Sequence, residues 1–108
     1  MKVSELLNSS PLSPVCIPDG SREINGAYIG DLLSWVMGRA SAGDAWITIM
    51  SNINIVAVAS LADVACIILA EGVTLPEDII KTAEAKGVNI LSSKFDAYET
   101  AVTLYKLI

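Results

Sequence analysis

Four short runs of this chain are dominated by apolar residues with no polar alternation: Ala45–Met50, Ile55–Ala59, Cys66–Ala70 and Val88–Leu91. A strand with one face in water alternates polar and apolar side chains; a strand buried on both faces does not. Read as strands, these runs require cover on both sides. The segments between them carry helix signals. Gly30-Asp31 opens a helix on which Leu32, Leu33, Val36 and Met37 recur at helical spacing, with Trp35 beside them, and which ends at Gly38 or within Ala40–Gly43. Ser60–Val64 reads as one or two helical turns, with Ser60 as cap and Asp63 at the capping-box position. Thr74-Leu75-Pro76-Glu77 starts a helix that runs to Lys86 and stops at Gly87. Ser93–Asp96 is another capping box, ahead of a last helix expected to bury Phe95, Tyr98, Ala101, Val102, Tyr105 and Ile108. Strands alternating with capped helices define an α/β domain of three layers, a mainly parallel sheet flanked by helices.

The N-terminal part is less regular. Ser4 can cap a short helix to Asn8, and Ser9–Pro14 is a turn-rich connector. Val15–Ile17 reads as a strand stopped by Pro18-Asp19-Gly20. Arg22–Ile24 reads as another, running into an Asn25-Gly26 hairpin turn. A small N-terminal hairpin and helix are therefore expected beside the main sheet. With 108 residues, no repeat and no linker, residues 1–108 are expected to form one domain.

Composition narrows the functional classes. Apolar residues make up 53% of the chain and charged residues 18%, so a true core forms. A small domain this rich in aliphatic residues has apolar faces that a second copy of the chain can cover. The net charge is −5, and the seven Lys and Arg residues are scattered. Nucleic-acid and anionic-membrane surfaces need clustered positive charge, so neither partner is expected. Ile53–Ala70 is interrupted by Asn54, Ser60 and Asp63, which argues against a membrane span. Met1–Leu7 is too short and polar for a signal peptide. Cys16 and Cys66 stand alone in apolar surroundings and read as buried, reduced thiols, which points to the cytoplasm.

The chemistry available is limited. There is no histidine, which removes Ser-His-Asp and Cys-His arrangements and the usual zinc sites, so no metal or cofactor is expected. Neither a Gly-x-x-x-x-Gly-Lys-Ser/Thr loop nor a Gly-x-Gly-x-x-Gly fingerprint is present. Three polar segments remain. The first is Asn25, Gly26, Gly30 and Asp31, ahead of a helix whose N-terminus could hold an anion, though the Asp31 carboxylate opposes one. Alternatively this is a tight turn with a helix capped by Asp31. The second is Asn52 and Asn54, just past a strand, where ligands of open parallel sheets gather; an Asn-rich turn is the plainer reading. The third is Glu71, Ser92 and Ser93 at strand ends, with the serines as caps; Glu71 with Asp63 or Asp31 is a weak oxygen-ligand set. Among the aromatics, Trp46 fits the core, whereas Tyr28 and Trp35 are interface candidates.

Arg22-Glu23-Ile24-Asn25-Gly26-Ala27-Tyr28-Ile29-Gly30-Asp31-Leu32-Leu33 resembles the DRTGG domain family. The resemblance continues through Gly43–Ile49, Asn54–Leu61, Ile67–Leu69 and Gly87–Leu91, nearly the whole chain. Ser21-Arg22 stands where Asp-Arg is common, and Asn25-Gly26-Ala27 replaces the Thr-Gly-Gly core; Gly26, Gly30 and Asp31 are the positions carried over. The resemblance implies an α/β fold similar to the N-terminal domain of HPr kinase/phosphorylase and a usually regulatory, non-catalytic role. Relatives take part in dimer contacts within CBS-containing pyrophosphatases. Others precede the catalytic domain of phosphotransacetylases, and some accompany iron hydrogenase components, which suggests a protein partner in a fermentative setting. A homodimeric regulatory module is the leading expectation. A sensor of a nucleotide or other anion is the alternative. The HPr-type serine kinase activity attached to some relatives stands last, because its phosphate-binding loop is absent.

Overall fold

The computed structural model describes residues 1–108. A five-stranded sheet lies between two helical layers. In chain order the elements are α1 (Val3–Ser9), β1 (Ser13–Cys16), β2 (Gly26–Ile29), α2 (Leu33–Arg39), β3 (Asp44–Thr48), α3 (Asn54–Ala62), β4 (Cys66–Leu69), α4 (Glu77–Ala85), β5 (Ile90–Ser92) and α5 (Ala97–Leu107). The sheet order is β1-β5-β4-β3-β2. All neighbours are parallel except β1, which runs antiparallel to β5.

From β2 to β5 every crossover moves one strand in the same direction. The right-handed rule then puts all three crossover helices on one face. Accordingly Val36 of α2, Ile55, Val56 and Ala59 of α3, and Ile79 and Ala83 of α4 share a core with Trp46, Ile67, Leu69 and Ile90. On the other face Val3 and Leu6 of α1 and Leu104 of α5 close over Ala45, Ile47, Ile68, Ala70 and Leu91. Residues Val64–Ala70 are all buried, as a central strand covered on both faces must be.

Ile55–Ala59 is not a strand but the heart of α3. Ile55, Val56, Val58 and Ala59 are buried while Ala57 and Leu61 are exposed, a helical spacing hidden inside an unbroken apolar run. Ser60 is therefore near the end of a helix rather than a cap. Asp63 closes it in the left-handed region, at φ 59°, with its N–H on the Ala59 and Ser60 carbonyls.

The Asn25-Gly26 hairpin does not form either. Gly26 begins β2, which pairs in parallel with β3, and Arg22–Ile24 contributes only a bridge between Glu23 and Lys2. The strand expected at Val15–Ile17 starts earlier and joins β5 at the sheet edge. Three caps also shift. Lys2 precedes α1 in place of Ser4, its backbone N–H donating to Glu5 Oε1 at 2.9 Å; Pro76 precedes α4 in place of Thr74; Asp96 caps α5 by accepting the Glu99 N–H at 2.8 Å. Ser93 is instead buried, its hydroxyl sharing a 2.7 Å hydrogen bond with Thr100. Helix α5 turns Thr100 and Leu104 inward, leaving Tyr98 and Tyr105 75% and 83% exposed.

One junction joins the N-terminal segment to this frame. The Asp63 carbonyl accepts from the Gly43 N–H at 2.9 Å and from Arg22 Nη2 at 2.7 Å. Gly43 sits at φ 85°, and a Cβ there would collide with the Asn25 side-chain amide. Gly43→Ala is therefore expected to cost about 1–3 kcal/mol in urea unfolding. Adding Asn25→Ala should recover the part due to collision and leave the part due to backbone strain.

Candidate functional site

The residues singled out in the sequence do not form one site. Strand β2 separates them: Asn25 and Gly26 lie at its N-terminal end, Gly30 and Asp31 just beyond its C-terminal end. Asn52 and Asn54 follow β3 and open α3, so they share the sheet edge with Gly30 and Asp31. The result is a split set, with four of the six at the edge where parallel strands finish.

Within that edge most polar groups already have partners. Gly30 donates its N–H to the Ile47 carbonyl at 3.2 Å and accepts from Trp46 Nε1 at 2.9 Å. Its missing side chain leaves room for the Tyr28 ring, which would lie 2.9 Å from a Cβ. Gly26 is similarly crowded, with the Asp44 carboxylate 2.9 Å from where a Cβ would stand. Asp31 does not cap α2, whose N-cap is Leu32 with no side-chain bond. Its carboxylate reaches sideways instead, accepting from the Thr48 hydroxyl at 2.8 Å and the Ile49 N–H at 3.0 Å. Thr48 in turn accepts the Met50 N–H at 3.2 Å. Asp31 thus holds the turn after β3 against the turn after β2. Asn52 accepts the Asn54 N–H at 2.9 Å, a local turn at the start of α3. Asn25 donates its N–H to the Gly43 carbonyl at 2.9 Å.

The other candidates are dispersed. Glu71 stands at φ 62° after β4, with its N–H on the Phe95 carbonyl at 2.7 Å. Asp63 lies before β4, at the opposite end of the sheet, and is held by Arg22, Nη1 to Oδ1 3.0 Å. No three Asp, Glu or Cys side chains converge as a metal cage would require. Trp46 is fully buried. Tyr28 is half-buried against the α2–α4 core, and Trp35 is 51% exposed with the Arg39 guanidinium 3.7 Å above its ring.

Two features escaped the sequence reading. One is Arg22, which grips both the carbonyl and the carboxylate of Asp63. The other is a groove of about 580 Å3 between α5 and the edge strand β2, lined by Gly26, Ala27, Tyr98, Ala101, Tyr105 and Ile108 among others. The seven-residue spacing of Tyr98 and Tyr105 put both on one helix stripe. Only the three-dimensional packing shows that this stripe faces away from the sheet.

The thiols are withdrawn from chemistry. Burial pushes Cys66 from 9.0 up to about 12, only partly offset by the Arg22 charge, and burial with the nearby Glu84 carboxylate raises Cys16. A thiolate is the nucleophilic form, so neither is activated.

The DRTGG domain family model matches residues 21–107, and the chain belongs to that family. Its fold is similar to that of the CBS and DRTGG domains of the regulatory region of Clostridium perfringens pyrophosphatase, a crystal structure of the complex with the activator diadenosine tetraphosphate. The TM-score is 0.76 at 15% identity, over 95% of this chain and 45% of that one. The chain thus spans less than half the length of that relative. No curated protein matches it in sequence.

Asp31→Ala removes two hydrogen bonds and should lower stability by about 1–3 kcal/mol in urea unfolding, while Asp31→Asn, which keeps an acceptor, should lose less. Cys66 gives a pH signature. Its folded value lies above its unfolded one, so its contribution is full below pH 9 and falls as pH rises from about 9 toward about 12. At pH 8 an aromatic disulfide reagent should label Cys66 only as fast as the protein opens.

Proposed function

We propose that this chain is a non-catalytic regulatory module that works as a homodimer. The observation that carries the reading is the apolar surface left on a DRTGG-family domain. Leu32, Trp35, Ile49, Ile53, Leu61, Tyr98, Tyr105 and Ile108 are all exposed large hydrophobic residues on a chain of 108. Exposed apolar patches on a small domain mark surfaces that another protein covers. Against catalysis, the chain has no histidine, its thiols are held protonated, and it lacks a phosphate-binding loop for a serine kinase. No helix is long and apolar enough to cross a membrane. Reduced buried cysteines fit the cytoplasm. A protein partner in a fermentative or hydrogenase setting would dock on the same kind of surface. In sedimentation equilibrium at micromolar concentration the chain should behave as a dimer; a monomer across that range would defeat the reading.

A second reading, a sensor of nucleotides, is favoured by the fold neighbour solved with diadenosine tetraphosphate. In this chain the edge bearing Gly30, Asp31, Asn52 and Asn54 is where such a ligand would sit, with Asn25 and Gly26 too distant to share it. Thermal unfolding in the presence of adenine mononucleotides and diadenosine tetraphosphate tests it. Ligand at 100 times its Kd should add about 2.7 kcal/mol of stability. A flat melting temperature across the panel leaves the dimeric module alone.

A further inference from the structure

We infer that the homodimer forms through α5, two copies packing antiparallel about a two-fold axis near Val102; this rests on the dimeric reading above. Helix α5 shares its face of the sheet with α1. Its outward stripe carries Tyr98, Val102 and Tyr105, and Glu99 and Lys106 flank that stripe together on one side. Tyr98 and Tyr105 are seven residues apart, as are Glu99 and Lys106, so each pair is about 10.5 Å apart along the helix. Neither charge can reach the other within one helix, and neither joins an ion pair in the chain.

A two-fold axis perpendicular to the helix changes this. It reverses the second helix and sets residue 98 against 105 and residue 99 against 106. Tyr98 then meets the partner's Tyr105, Glu99 meets the partner's Lys106, and both pairs occur twice. Such self-complementarity is what an isologous interface needs. A parallel pairing, with the two-fold axis along the helices, would put the Glu99 and Lys106 flanks of the two copies on opposite sides of the contact and leave both charge pairs unmade. At the centre stand Ala101 and Val102, small enough for close helix approach. The groove beside α5, floored by Gly26 and Ala27, offers about 580 Å3 for the partner's tyrosine rings.

The area is also adequate. A whole aromatic side chain contributes about 150–250 Å2. At 75% and 83% exposure the two tyrosines alone present on the order of 300 Å2. That is over a third of the roughly 800 Å2 per partner in a standard interface. At the competing face, Arg39 of the same chain already stacks on one side of the Trp35 ring, which stays 51% exposed.

Two single variants test the arrangement. Glu99→Lys opposes lysine to lysine across the axis, and Lys106→Glu opposes glutamate to glutamate. Each alone should weaken the dimer about tenfold or more in Kd, whereas an equimolar mixture should form a heterodimer with both pairs restored. Circular dichroism confirms that each remains folded, and Trp35→Ser should dimerise as the unaltered chain does. If both charge variants dimerise like the unaltered chain, the α5 interface is wrong and the homodimer stands on another face. If Trp35→Ser alone abolishes the dimer, the α2 face is the interface and the α5 assignment falls. If the unaltered chain is monomeric, the dimeric reading itself falls.

Discussion

The structure depends on the burial of β3 and β4 from both sides. Once Ala45–Thr48 and Val64–Ala70 are removed from water, their backbone N–H and C=O groups must be satisfied by neighbouring strands. That demand is met by β2 on one flank and β5 on the other, each parallel, each reached by a helix. Because the succession never reverses, three helices fall on one face, and α1 with α5 cover the other. The uneven division leaves the β2 side of the two-helix face open, which is where the groove lies.

The same succession leaves β2 to β5 without a switch-point crevice. In open α/β sheets such crevices form where the strand order reverses direction. Here β2 to β5 advance without reversal, and the only change is the antiparallel β1 at the far edge. The turns after β2 and β3 are closed together by Asp31, Thr48 and the Trp46 indole rather than held apart around a space.

Much of the fold was legible, and the failures have physical causes. Cys66–Leu69 and Ile90–Leu91 read as strands because their apolar runs are short and bounded by turn residues. Ile55–Ala59 has the same composition, but α3 buries four of its five residues, so the periodic gap at Ala57 is too small a signal. Asn25-Gly26 carries strong hairpin chemistry, yet the parallel ladder with β3 and the fit of Asn25 over Gly43 override a local preference. Tyr98 and Tyr105 were expected inside because amphipathicity tells only that a helix has two faces. Thr100 and Leu104, with Ser93 beneath, took the inner one. The edge set Gly30, Asp31, Asn52 and Asn54 followed from strand order, but the separation of Asn25 and Gly26 needed the length of β2.

Arg22 gives this architecture a property beyond stability. The residues around it belong to the N-terminal layer, tied to α1 through the Val3 N–H on its own carbonyl at 3.0 Å, while its guanidinium ends on the last turn of α3 in the opposite layer. It passes around the end of the sheet rather than through it. A displacement of α1 and its neighbours therefore has a polar lever onto α3 that does not require the central strands to deform. The Arg22 strap thus joins the two outer layers by polar contacts that bypass the buried strands.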